Sequence, residues 1–339
     1  MHPNLAETTA LTFSAPRPAN SDPQLQFPPT MTKPTIPAQD IHNVLSNVLP
    51  RIKSHVEAQT SASKKRPFIL GLTGLQGSGK STWTDALVQA LNDEYKCNTI
   101  NISLDDLYLD HDDLIQVRDN NPSNRLLRTR GQPGTHDIAL AVDFFDSLTK
   151  SSEKVIPSFD KSLFNGEGGR APQDTWRRIP ADVTIDIVIF EGWCVGFQPL
   201  PEDEISYRWI HAKEVSAGGS LKQTLGEHEL EHLVQINKNL RHYCELFMGP
   251  QFFDFLVHLD TDDLINVYGW RLEQEHVLRE RKKGAMSDEE VIRFVKGYMP
   301  AYELYLDQLR SGFFSGQQEE RQLSVVLDER RKVMAIRTV

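Results

Sequence analysis

Gly74-Leu75-Gln76-Gly77-Ser78-Gly79-Lys80-Ser81 is the stretch on which the reading of this chain turns. It fits G-x-x-x-x-G-K-[ST] at every fixed position. Its context is the one the motif requires, with a short apolar run (Pro67 to Thr73) before it and a helical pattern after it. The glycines let backbone N–H groups turn inward as a nest for phosphate oxygens, and the helix that follows adds its positive N-terminal end. Gly74, Leu75, Gln76, Gly77, Ser78, Gly79, Lys80, Ser81 and Thr82 are therefore expected to bind the phosphates of ATP. Lys80 should reach the β- and γ-phosphates and act in catalysis, and Ser81 should ligate Mg²⁺.

Outward from this loop, short apolar runs alternate with helical patterns. Strands are expected at Pro67 to Thr73, Thr99 to Ser103, Val183 to Phe190, Phe255 to Leu259 and Leu323 to Leu327. Between them the helical period recurs at Leu140, Phe144 and Leu148, and at Leu233, Ile236, Leu240, Tyr243 and Phe247. Ser287-x-x-Glu290 is a capping box that opens a further helix near Val291. Such alternation predicts an α/β fold with a parallel sheet flanked by helices. Residues 1–40 differ: they hold eight of the nineteen prolines and no sustained apolar period, and read as a disordered tail. A helical pattern begins at Ile41 (Ile41, Val44, Leu45, Val48, Leu49) and is followed by Pro50.

Composition narrows the function classes. The 339 residues are 39% hydrophobic and 25% charged, and 37 basic against 47 acidic residues give a net charge of −10. An acidic chain lacks the clustered basic charge that nucleic-acid binding needs, and no apolar run reaches the length of a membrane helix, so neither partner is expected. Three separated cysteines point to a reduced cytoplasmic (or nuclear) setting. Nothing in the residues sets an oligomeric state.

The motif fixes a nucleotide but not an acceptor. Asn237-Lys238-Asn239-Leu240 lacks the aspartate of the N-K-x-D string that reads guanine in GTPases. Ile187-Val188-Ile189-Phe190-Glu191 ends an apolar strand in an acid, placing Glu191 at the sheet edge where ligands sit and where it can hold Mg²⁺. The second strand runs into Ser103-Leu104-Asp105-Asp106-Leu107-Tyr108. A carboxylate there can accept the proton of an attacking hydroxyl. This S-x-D-D-x-Y string resembles uridine kinases, phosphoribulokinases and pantothenate kinases, whose first acid is the catalytic aspartate and maps to Asp105. Asp106 is either a substrate contact or a cap on the following turn.

Longer strings narrow the resemblance. They are Arg130-Gly131-Gln132-Pro133-Gly134-Thr135-His136-Asp137, Phe159-Asp160-Lys161-Ser162, Phe190-Glu191-Gly192-Trp193-Cys194-Val195-Gly196-Phe197, Trp270-Arg271-Leu272-Glu273-Gln274-Glu275 and Tyr298-Met299-Pro300-Ala301-Tyr302. Together they resemble the plant-type D-glycerate 3-kinases and their fungal ATP-dependent relatives, from about Pro67 to Asp328. The resemblance implies transfer of the ATP γ-phosphate to a hydroxyl of a small molecule, D-glycerate first among candidates, by a kinase domain over residues 41–339. A different small acceptor (nucleoside or pantothenate-like) and an ATP-driven binding switch are the alternatives. Residues 208–225 have no counterpart in the family and read as a surface insertion.

An anionic acceptor needs fixed cations, and arginine pairs bidentately with carboxylates. Arg130 is expected to do so, with Asp106, Tyr108, His136, Asp160 and Lys161 lining the same pocket. Kinases of this fold close a helical lid over the nucleotide. Here it is expected at about 271–297, with Arg271, Arg279 and Arg281 as the arginines that could meet the transferred phosphoryl group. His228-Glu229-Leu230-Glu231-His232 matches the zinc-protease string H-E-x-x-H, but its flanks are highly charged and no third ligand is evident.

Overall fold

The computed structural model describes residues 36–60, 65–215, 220–281, 285–314 and 320–339. Most of the tail expected over residues 1–40 lies outside these, as does the side chain of Arg281.

All five expected strands form: β1 Phe68–Gly74, β2 Thr99–Ser103, β3 Ile187–Gly192, β4 Phe255–Asp260 and β5 Gln322–Leu327. A sixth, β6 Val333–Thr338, follows them in the chain. The sheet runs β6-β5-β4-β1-β3-β2. β1 to β5 pair in parallel and β6 returns antiparallel to β5. Every residue of β1, β3, β4 and β5 is buried, the burial that a parallel sheet covered on both faces imposes. β3 starts at Ile187, later than the expected Val183. Val183 N–H closes a turn onto the Pro180 carbonyl, and the Asp186 carboxylate accepts Asn98 N–H at 2.7 Å. Those residues are spent on a turn and a cap before pairing begins.

The helices are α1 Ala38–Thr60, α2 Lys80–Asp93, α3 His111–Asn120, α4 Ile138–Ser147, α5 Glu202–Val215, α6 Leu230–Tyr243, α7 Ile265–Arg281, α8 Asp288–Lys296 and α9 Met299–Ser311. α1 continues through Pro50 rather than stopping there. Proline removes one helical hydrogen bond and crowds the preceding turn. The buried stripe Ile41, Val44, Leu45, Val48 and Ile52 spans the break and packs on α2, β1 and β6, which outweighs that loss. The capping box at α8 is present: Ser287 Oγ accepts Glu290 N–H at 3.2 Å, and the Glu290 carboxylate accepts Ser287 N–H at 2.7 Å.

Of residues 208–225, read as a surface insertion, 216–219 lie outside the described residues, and the described ends of the stretch are tied to α9. Arg208 belongs to α5 and donates to the Glu303 and Leu304 carbonyls of α9 at 3.2 and 3.1 Å. Thr224 and Leu225 are buried, and the Glu303 carboxylate accepts Thr224 N–H at 2.6 Å.

Strand register builds the site. Glu191 on β3 lies opposite Leu72 on β1 and Ser103 on β2. The C-terminal edges of three neighbouring strands thus set the phosphate loop, the Ser103–Tyr108 turn and Glu191 side by side. Two short antiparallel ribbons, Lys154–Ile156 with Arg177–Ile179 and Phe159–Asp160 with Gly169–Arg170, lie outside the main sheet. The second leads directly into Lys161.

Candidate active site

The phosphate loop has the backbone its sequence demands. Gly77 and Gly79 have φ of 80° and 93°, in the left-handed region that glycine occupies without strain. A Cβ on Gly77 would come within 2.8 Å of Trp270 Cβ, whereas one on Gly79 would meet nothing within 4 Å. One glycine lets the loop pack on α7; the other leaves room in front of the α2 N-terminus. Lys80 Nζ donates to the Gly74 and Leu75 carbonyls at 3.0 and 3.2 Å. Burial lowers its pKa, and the charges of Glu191 and Asp105 oppose that shift. The hydroxyls of Thr73 and Ser78 are buried without a partner among the described residues, while Ser81 and Thr82 are exposed on the first turn of α2. Open space beside a helix N-terminus, unmet donors and a lysine held by two carbonyls together suit a polyphosphate.

Two side chains that sequence reasoning missed hold the loop from behind. Tyr302 on α9 accepts Gln76 N–H at 3.0 Å. Arg331, in the turn between β5 and β6 with φ of 61°, donates from Nε to the Gly77 carbonyl at 2.7 Å. Its other nitrogens reach the Trp270 carbonyl at 2.9 Å and Glu273 at 2.5 Å. Tyr302 sits in a string already singled out by resemblance. Arg331 follows the loop by about 250 residues and carries no local signal. Arg331→Ala should weaken ATP binding about tenfold, the effect of losing one charge-assisted hydrogen bond, and leave acceptor KM unchanged. Calorimetric titration with ATP and the two KM values check this.

The acidic turn separates two roles. Asp105 faces the phosphate loop, close enough to Lys80 for their charges to interact. Its carboxylate takes hydrogen bonds from Lys161 Nζ and from Tyr108. Burial would raise its pKa, but the Lys161 charge and hydrogen bond, His136 and Tyr108 outweigh it, and the net shift is downward. Asp105 is thus ionised and able to accept a proton from a neighbouring hydroxyl once Lys161 is drawn elsewhere. Asp106, one of the expected substrate contacts, is a cap instead: its carboxylate accepts Ser103 N–H at 3.2 Å and the Phe159 N–H. A residue that closes the turn's own backbone has little capacity left for a ligand. Glu191 is buried, and burial raises its pKa; the Lys80 charge and the Ser103 side chain offset only part of that rise.

The acceptor side is assembled from three segments. His136 is 3% exposed and lies stacked on Tyr108 at 4.4 Å, which joins the 130–137 loop to the acidic turn. Trp193, just past β3, donates to the Gly131 carbonyl at 3.0 Å and anchors that loop to the sheet. Arg130, the expected carboxylate partner, commits its Nη1 to the protein itself. It donates to the Gly166 and Glu167 carbonyls and lies over the Phe159 ring at 5.5 Å, so it fastens the 163–168 turn beside the site. Asp160 also departs from expectation: it is exposed and accepts Ser162 N–H and Oγ at 2.8 and 2.6 Å, a local turn rather than a pocket wall. Lys161 alone among the flanking cations reaches Asp105 in this arrangement, across an opening wide enough to leave it half exposed.

The expected lid arginines divide. Arg271 pairs with Glu275, which is buried, and lies over Phe294 at 5.1 Å. With Trp270 against Gly77, the start of α7 is fixed to the phosphate loop. Arg279 points elsewhere: it donates to the Met286 carbonyl at 2.9 Å and to Asp288 at 2.5 Å, bracing the α7–α8 connection. His228 and His232 do not share a helix face. α6 begins at Leu230, so His228 precedes it, and His232 Nε2 sits 3.2 Å from Ser123 Oγ. Among the described residues no helix is long and apolar enough to cross a membrane.

No family model matches the chain. It is 37% identical over 289 residues to an "uncharacterized kinase mug58" of Schizosaccharomyces pombe, covering 85% of this chain and 97% of that one. Over 269 residues it is 34% identical to the chloroplastic D-glycerate 3-kinase of Arabidopsis thaliana, covering 78% of this chain and 53% of that protein. Its fold superposes on a solved D-glycerate 3-kinase of Cryptococcus neoformans with a TM-score of 0.78 at 30% identity, over 88% of this chain and 99% of that one.

Proposed function

Because this chain belongs to the P-loop kinase family of the D-glycerate 3-kinases and their fungal relatives, we propose that its acceptor is a small anionic alcohol, D-glycerate foremost, with 3-phosphoglycerate as product. The observation that carries the reading is that Asp105 pairs with Lys161 and lies close enough to the phosphate-loop lysine for their charges to interact.

The residues divide the work. Backbone N–H groups of residues 74–82 and Lys80 hold the triphosphate and face the charge that develops as the γ-phosphoryl group moves. Ser81 and Glu191 would hold Mg²⁺, which offsets phosphate charge when bound. Lys161 leaves Asp105 to meet the carboxylate of the arriving acceptor, so the anion that needs a cation also frees the base. Asp105 takes the acceptor's hydroxyl proton as its oxygen bonds to the γ-phosphorus, and the bond from that phosphorus to the bridging oxygen breaks to release ADP. Positioning and electrostatics supply most of the acceleration.

A screen of D-glycerate, pantothenate and uridine with ATP, read as acceptor-dependent ADP release, tests the proposal. D-glycerate should give the largest kcat/KM. Preference for uridine or pantothenate would move the protein to another acceptor class. No acceptor-dependent release with any small acid or nucleoside would favour an ATP-driven switch.

A further inference from the structure

The ring of His136 carries an unsettled question that Tyr243 answers. Tyr243, at the end of α6, is fully buried. Its hydroxyl oxygen accepts the Gly134 N–H at 2.7 Å and the His136 N–H at 3.1 Å. A hydroxyl oxygen offers two acceptor positions and one proton. Both acceptor positions are filled by backbone donors, so the one remaining bond from this oxygen must be donated. The acceptor within reach is His136 Nδ1 at 3.0 Å. Nδ1 of His136 is therefore bare. Burial pushes the His136 pKa down to about 3, against the pull of Asp105, so the ring is neutral near pH 7. A neutral imidazole with a bare Nδ1 carries its proton on Nε2.

That Nε2 is buried and has no hydrogen-bond partner among the described residues. The ring cannot swing away to find one, because Tyr108 stacks on its face at 4.4 Å and Tyr243 meets its edge at 5.5 Å. Tyr108 in turn donates to Asp105, so the unmet nitrogen belongs to the same cluster as the proposed base. A buried, oriented donor with no internal acceptor marks a place for a ligand oxygen.

We propose that Tyr243 is a positioning residue that locks His136 as an Nε2–H donor, and that this donor holds an oxygen atom of the acceptor substrate. The assignment rests on the acceptor site proposed above. It gives the site a chemical preference: an acceptor with a carboxylate or alcohol oxygen at this point is bound, and one presenting an N–H there is rejected because two donors would face each other. It also separates His136 from proton abstraction, since a ring nitrogen that is already protonated is no base.

The test begins on the unaltered protein. Long-range proton–nitrogen spectra of the histidine-labelled full chain, with the His136 signals identified by their loss in His136→Gln, should show Nδ1 unprotonated and Nε2 protonated. A protonated Nδ1 overturns the proposal. Tyr243→Phe removes the donated proton and should yield a mixture of ring tautomers, with KM for D-glycerate raised about tenfold and KM for ATP unchanged. The same tautomer with unchanged acceptor KM in that variant also overturns it. If Tyr243→Phe does not fold, the spectrum of the unaltered protein still decides the tautomer. If D-glycerate is not phosphorylated at all while Nε2 is protonated, the acceptor reading fails and the role of Tyr243 stands.

Discussion

Lys80→Ala should lower kcat by about 10³-fold or more, with the protein still folded. The lysine sits on the first residue of α2, and its ammonium rests on two carbonyls of its own loop. Removing it forfeits those two contacts and little packing, so thermal unfolding should change only slightly. What is lost is the positive charge that meets the phosphoryl group as it leaves ADP. Burial already disfavours this charge, and Glu191 and Asp105 sustain it. A charge held in a partly desolvated site against such a penalty is worth more to a transition state than one in water. Steady-state ADP release with saturating ATP and acceptor measures the effect. Turnover like that of the unaltered protein would refute the assignment of the loop.

Asp105→Asn is expected to reduce kcat by about 10²- to 10⁴-fold while ATP KM changes little. Asparagine keeps the shape and can still accept a hydrogen bond from Tyr108 or Lys161, but it cannot take a proton. The prediction depends on Asp105 being ionised, which its lowered pKa supports. Asp106→Asn serves as the internal comparison: its carboxylate is committed to the Ser103 and Phe159 amides, so the change should appear in stability more than in chemistry. Equal loss of kcat and ATP affinity in Asp105→Asn would mean that Asp105 shapes the site without acting in it.

Local signals in the chain foretold the loop, the five parallel strands and the acidic strand ends, because each is written in neighbouring residues: glycines at fixed offsets, apolar runs of strand length, an acid at the end of a run. The departures arose where distant segments meet. Nothing around Asp106 distinguishes a ligand contact from a cap until the Phe159 backbone arrives beside it. Arg130 offers a guanidinium fork, but one of its nitrogens, Nη1, is spent on carbonyls 36 and 37 residues further on. Arg279 carries a charge pattern fit for a lid, yet Asp288 at the start of α8 captures it. Tyr243 looked like one more apolar position on α6. Its hydroxyl gained meaning only when the 134–136 backbone folded onto it.

Arg331 reaches the phosphate loop from 254 residues further along the chain. A ribosome making this chain releases Gly77 early and adds Arg331 only after all the parallel strands are complete. The Arg331 contact to the loop can therefore form only once the β5–β6 hairpin has emerged and closed, and chains shorter than that should bind ATP about tenfold more weakly. Truncations or fusions that disturb this hairpin would weaken catalysis while most of the sheet still assembles.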